Sequence, residues 1–147
     1  MRIFVSLAIA FCLTAPATTA QEYQEVFGQW MVMGEGDTFR AITLGDTDDS
    51  LLVYACLTGG FADTLGAYAV GNAGEAKFYV DGVEQPLRLI LMGENPSIHM
   101  NVVTNQAIFD ALVSGSTAEA VAGSASVKFS LSGSRRAIET AKARCGG

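Results

Sequence analysis

The sequence predicts a mainly β fold: a compact antiparallel β-sandwich or meander with two short helices near the C-terminus, closed by one disulfide. Three observations predict it. Short apolar and β-branched runs recur between Gly, Asp and Asn turn signals. Helical spacing of apolar residues is confined to two late stretches. Once a leader is removed, the cysteines left are Cys56 and Cys145, an even pair.

The leader is residues 1–20. Arg2, the apolar run from Ile3 to Leu13 and the small-residue exit Thr18-Thr19-Ala20 read as a secretory signal peptide. A run of about eleven residues is short of the roughly 20 that a membrane-spanning helix needs. No other stretch is long and apolar enough to span, so no membrane span is expected. The expected organisation is a signal peptide over 1–20 and a single disulfide-closed β-rich domain over 21–147, with a periplasmic or secreted location.

Gln29 to Met33 reads as the opening strand, and Gly34 to Asp37 as the turn after it. Phe39 to Leu44 is a second strand. The cluster Gly45-Asp46-Thr47-Asp48-Asp49 is turn chemistry. The continuous apolar run Leu51 to Leu57 favours a central strand, broken by Thr58-Gly59-Gly60. Lys77 to Val80 alternates before Asp81-Gly82, a strong hairpin signal, and Leu87 to Met92 resumes after Pro86 as the returning strand. Ile98 to Val103 alternates as a further strand. After Asn105, a good N-cap, Ile108, Ala111 and Leu112 recur at helical spacing until Gly115. Ser124 to Leu131 then alternates apolar and polar residues, one face buried and one wet. Ser132-Gly133-Ser134 turns into a final helix from about Arg135 to Cys145, with Gly146 suited to its C-cap and Glu139 placed to pair with Arg135 at i,i+4.

Pairing of Cys56 with Cys145 ties that last helix to a central strand. A loop of about 90 residues makes such a closure worth roughly 4 to 5 kcal/mol on the chain-entropy model.

Charge excludes some partners. Removing Arg2 with the leader leaves 8 of the 9 basic residues against all 15 acidic ones, a net charge of −7. Nucleic acid, which requires clustered Lys and Arg, is therefore not a partner. Glu35, Asp37, Asp46, Asp48, Asp49 and Asp63 crowd an early section, where a field of this sign steers a basic partner; Asp46, Asp48 and Asp49 form the candidate partner-binding surface. Catalytic signatures are missing. The single histidine, His99, has no second His or Cys at ligand spacing, so no metal is expected. There is no nucleophile elbow and no Gly-rich phosphate loop. Asp46-Thr47-Asp48-Asp49 lacks the Gly and Glu of a calcium loop, with Leu51 and Leu57 in their places. No catalytic residue and no cofactor is predicted.

Phe27-Gly28-Gln29-Trp30 after the leader, a Cys on a central strand, and the ending Phe129 to Ser134 followed by Ala137 and Cys145 resemble small exported proteobacterial proteins. Two groups share this pattern: the invasion-associated locus B proteins and periplasmic accessory proteins linked to type VI secretion. The likeness covers the two ends of the chain. It departs from the first group at Met33, where a Cys usually follows the opening Trp strand. The resemblance implies a non-catalytic envelope protein. The expected function is thus an exported binding or accessory protein whose partner is a protein or envelope component of basic character. An inhibitor of a basic wall-degrading enzyme such as lysozyme is the alternative, and a small envelope hydrolase the reading from a different class.

Overall fold

Gly- and Asp-bearing turns fold the chain back on itself repeatedly in the computed structural model, which describes residues 22–58, 63–68, 70, 76–86 and 106–146. The first sheet is a five-stranded antiparallel meander in sequence order: β1 (Tyr23–Phe27), β2 (Trp30–Glu35), β3 (Thr38–Leu44), β4 (Leu51–Leu57) and β5 (Thr64–Tyr68). The second contains β6 (Ala76–Val80), β7 (Val83–Glu84), β8 (Thr117–Ala122) and β9 (Ala125–Ser130), in the order β7-β6-β8-β9. Helices α1 (Gln106–Ser114) and α2 (Ser134–Arg144) complete the described residues. The mainly β, disulfide-closed, sandwich-like architecture agrees with the sequence expectation.

The core lies between the sheets and the helices. From the first sheet Trp30, Val32, Ala41, Leu52, Tyr54 and Leu65 point inward, and from the second Phe78, Ala118, Ala120, Val127 and Phe129 do so, all buried. Helix α2 lies on the inner face of the first sheet through Ala137, Ile138 and Ala141, and α1 packs beside it with Ile108 and Leu112. Two cations of α2 stack on rings of β1, Arg136 on Phe27 at 5.0 Å and Arg144 on Tyr23 at 4.3 Å. Cys145 follows α2 and bonds Cys56 of β4, with Cα atoms 6.1 Å apart.

The sheets meet along the outer edge of β9. Trp30 Nε1–H donates to Ser130 O (2.9 Å), Gln29 N–H to Ser132 O (3.0 Å) and Asp46 N–H to Lys128 O (2.9 Å). The Asp46 carboxylate accepts the Lys128 N–H in return at 2.8 Å. Two glycines allow this approach. A Cβ on Gly28 would sit 2.7 Å from Ser132 O, and one on Gly133 would sit 1.9 Å from Phe27 O; both residues have positive φ, 59° and 93°.

Four expectations need correction. The hairpin at Asp81-Gly82 returns at once through Val83–Glu84 rather than after Pro86, because Asp81 (φ 48°) and Gly82 (φ 79°) are both left-handed and close a two-residue turn. Strands β1, β5 and β8 were not expected. Arg135 and Glu139 do not form an ion pair; among the described residues the ion pair is Lys77–Glu84 across the hairpin, at 3.6 Å. The last helix starts at Ser134, whose hydroxyl donates to Leu112 O (2.7 Å) and so joins α2 to α1. The leader, Leu87–Met92, Ile98–Val103 with His99, and Asn105 lie outside the described residues.

The Cys56–Cys145 bond spans 89 residues. Replacing both cysteines by Ala is expected to lower unfolding stability by roughly 2 to 4 kcal/mol, read from urea denaturation; an unchanged midpoint would remove the bond from the stability account. Tyr54 is fully buried and its hydroxyl donates to Asp63 Oδ2 at 2.5 Å. Burial, then the carboxylate, raise its pKa above the usual tyrosine value. An unfolded tyrosine ionises near pH 10, so the folded state holds a proton that the unfolded chain gives up. Stability is then fully present below about pH 10 and falls as pH rises further. Tyr54→Phe is expected to make that alkaline fall shallower, measured as Tm between pH 8 and 11.

Candidate functional site

In an antiparallel strand alternate residues face opposite ways, so the inward set of the first sheet defines the outward set by parity. Cross-strand register assembles the outward residues into rows. One is Val26–Met31–Ile42–Val53–Gly66, the next Leu44–Leu51–Tyr68, and on the other side Gln24–Met33–Arg40–Ala55–Thr64. The first two rows are largely apolar, with Val53 buried among them, and the third is mixed, carrying Gln24, Arg40 and Thr64. Val26 is 65% and Leu44 71% exposed. Met31, Met33, Ile42 and Leu51 are partly exposed, and a shallow groove runs past Val26, Met31, Ile42 and Leu44.

The second sheet behaves differently. Its outward residues include Lys77, Glu119, Ser126 and Lys128, the polar set expected of a sheet with one wet face. The first sheet instead has apolar residues on both faces. With five strands about 4.8 Å apart and about six residues of about 3.4 Å each, its whole outer face, polar positions included, measures on the order of 500 Å². Contiguous apolar patches of a few hundred Å² on a monomer are commonly functional.

Acidic residues frame this face at both strand ends. At one end the β3–β4 loop carries Asp46, Asp48 and Asp49, all exposed. At the other, Glu35 and Asp37 are exposed at the β2–β3 turn. Arg40 is the cation on the face itself. The loop is firmly held: Gly45 N–H donates to Ser50 O (2.9 Å), Ser50 Oγ–H to Thr47 O (2.8 Å), and Asp49 takes φ 64°.

The sequence-predicted site residues thus divide. Cys56 and Cys145 are joined as expected. Asp46, Asp48 and Asp49 share one loop and are all exposed, but the Asp46 carboxylate is hydrogen-bonded to the backbone of β9, which sets it apart from Asp48 and Asp49. The apolar face was missed. Its signal was present in the runs Trp30-Met31-Val32-Met33 and Leu51 to Leu57, where both parities are apolar, as in a strand covered on two sides.

Chemical groups elsewhere are committed to structure. Asp81 accepts the N–H groups of Ser116 (3.1 Å) and Thr117 (2.9 Å), and Asp63 accepts from Tyr54. Among the described residues no group of three or more His, Cys, Asp or Glu side chains is placed to hold a metal ion.

Asp46→Ala is expected to destabilise the fold by about 1 to 2 kcal/mol, since it removes a charged acceptor from a backbone donor, whereas Asp48→Ala changes stability by less than about 0.5 kcal/mol. Thermal unfolding of the two variants side by side measures the difference; equal losses would show that Asp46 does no more than its neighbour.

No protein-family model, curated protein or solved structure matches this chain.

Proposed function

We propose that this chain is an exported, non-catalytic binding or accessory protein of the cell envelope, which docks another macromolecule on the outer face of its first sheet. The observation that carries the proposal is the apolar character of that face, set against the polar outer face of the second sheet. A secretory leader read from residues 1–20, an internal disulfide suited to an oxidising compartment and the likeness to locus B and type VI accessory proteins support the envelope setting. Among the described residues no helix is long and apolar enough to cross a membrane.

The acidic frame favours a partner of basic character, and this supports a second reading, inhibition of a basic wall-degrading enzyme. Lysozyme activity with and without the purified chain separates the two: undiminished activity at excess chain removes the inhibitor reading.

The main test is a pull-down from periplasmic extract with residues 21–147 as bait, comparing wild type with Ile42→Glu and with Val121→Glu on the second sheet. A partner retained by wild type and Val121→Glu and lost with Ile42→Glu is the expected result. Equal retention by all three would place binding elsewhere and end the proposal for this face.

A further inference from the structure

We infer that the outer face of the first sheet receives a cationic amphipathic helix of the partner, laid across the strands, an inference that rests on this face being the docking surface. The row Val26–Met31–Ile42 runs perpendicular to the strands, one residue per strand, and ends against the buried Val53. Strands about 4.8 Å apart nearly match the 5.4 Å pitch of an α-helix. An apolar stripe at i, i+3, i+4 and i+7 therefore finds an apolar contact at each successive turn. The three strands that carry accessible residues of this row take about two helical turns. Met31, with its flexible thioether, lets the floor of the groove fit side chains of different shape.

Charge selects the sign of that helix. The row lies toward the β3–β4 loop end of the strands, with Asp48 and Asp49 beyond the near end and Glu35 and Asp37 beyond the far one, all exposed. A helix about 10 to 12 Å across sits between these two rims. Lys and Arg on the flank toward the β3–β4 loop extend on long apolar stems toward Asp48 and Asp49, whereas the opposite flank faces Arg40. A second copy of this chain is disfavoured as occupant. Residues 21–147 carry a net charge of −7, and two copies placed face to face would bring four exposed rim carboxylates from each copy together with, among the described residues, Arg40 alone on each face to offset them. An anionic lipid surface is repelled for the same reason.

The test uses the oxidised chain, residues 21–147, and two labelled 18-residue helical peptides of the same pattern, one of Leu and Lys and one of Leu and Glu. Fluorescence anisotropy at low and high salt reads the binding, and Trp30 fluorescence checks that each variant is folded. The Leu/Lys peptide is expected to bind and the Leu/Glu peptide not. Ile42→Glu and, as a second variant at an exposed position, Leu44→Glu are each expected to weaken binding at least tenfold. The pair Asp48→Asn with Asp49→Asn should weaken it severalfold and flatten the salt dependence, while Val121→Glu changes nothing. Equal binding of both peptides, or unchanged binding in Ile42→Glu and Leu44→Glu, overturns the inference. So does a wild-type dimer that Ile42→Glu converts to monomer, since a second copy then occupies the face. A captured partner that depends on Ile42 but is not displaced by the Leu/Lys peptide leaves the docking surface standing and removes the cationic helix. Loss of both results removes both readings.

Discussion

The outer edge of β9 is the constraint on which the rest of the molecule depends. An edge strand presents unpaired N–H and C=O groups that are costly to bury and hazardous to expose. Here the N-terminal meander satisfies them, through Trp30 on the Ser130 carbonyl and through Asp46, which both donates to and accepts from Lys128. The contacts join residues 82 to 100 positions apart in the chain, so they also decide how the two sheets sit together. With the β1–β2 turn and the β3–β4 loop fixed to β9, the first sheet turns one face toward α2 and the core. The other face points away from that core.

The parts of this arrangement that were legible in the sequence are those where local chemistry and tertiary context agree. The apolar run of β4, the alternation of β9, the left-handed Asp81-Gly82 turn and the helical spacing of α2 each announce themselves within a few residues. Cysteine parity, counted over residues 21–147, sufficed for the disulfide. What escaped is where the context overrides propensity. In β8, Thr-Ala-Glu-Ala-Val-Ala is rich in Ala and carries a Glu, a composition that leans toward helix, yet pairing with β6 and β9 makes it a central strand. In β1, Gln24 and Glu25 dilute the apolar pattern, and the strand exists through its pairing with β2. The site was legible as residues but not as an arrangement. Asp46 and Asp48 look alike in sequence, and only long-range pairing assigns one to the backbone of β9 and leaves the other in water.

That division of labour extends to the other acids. Asp63 holds the Tyr54 hydroxyl, Asp81 holds the start of β8, and Asp46 holds β9. Each performs a task that a neutral acceptor performs less strongly, because an ionised acceptor makes the stronger hydrogen bond. Glu35, Asp37, Asp48 and Asp49 have positions at the strand ends instead. The negative charge of this chain is therefore not a uniform coat, and four of its carboxylates lie at the strand ends of this face.

An apolar outer face also has to be reconciled with stability and solubility. Leaving Val26 and Leu44 exposed forgoes a transfer gain rather than incurring a folding penalty, since both are also exposed in the unfolded chain. The fold can forgo it because the inner face already carries a core and the disulfide adds a contribution comparable with a good share of a domain's net stability. The remaining hazard is association between copies through exposed apolar surface. Acidic rims at both ends of the strands oppose that association by like-charge repulsion. The same repulsion vanishes, and reverses in sign, when the approaching surface is cationic. In the proposed docking, protection against self-association and selection of a cationic helix are thus one electrostatic property of the face, expressed against two different neighbours.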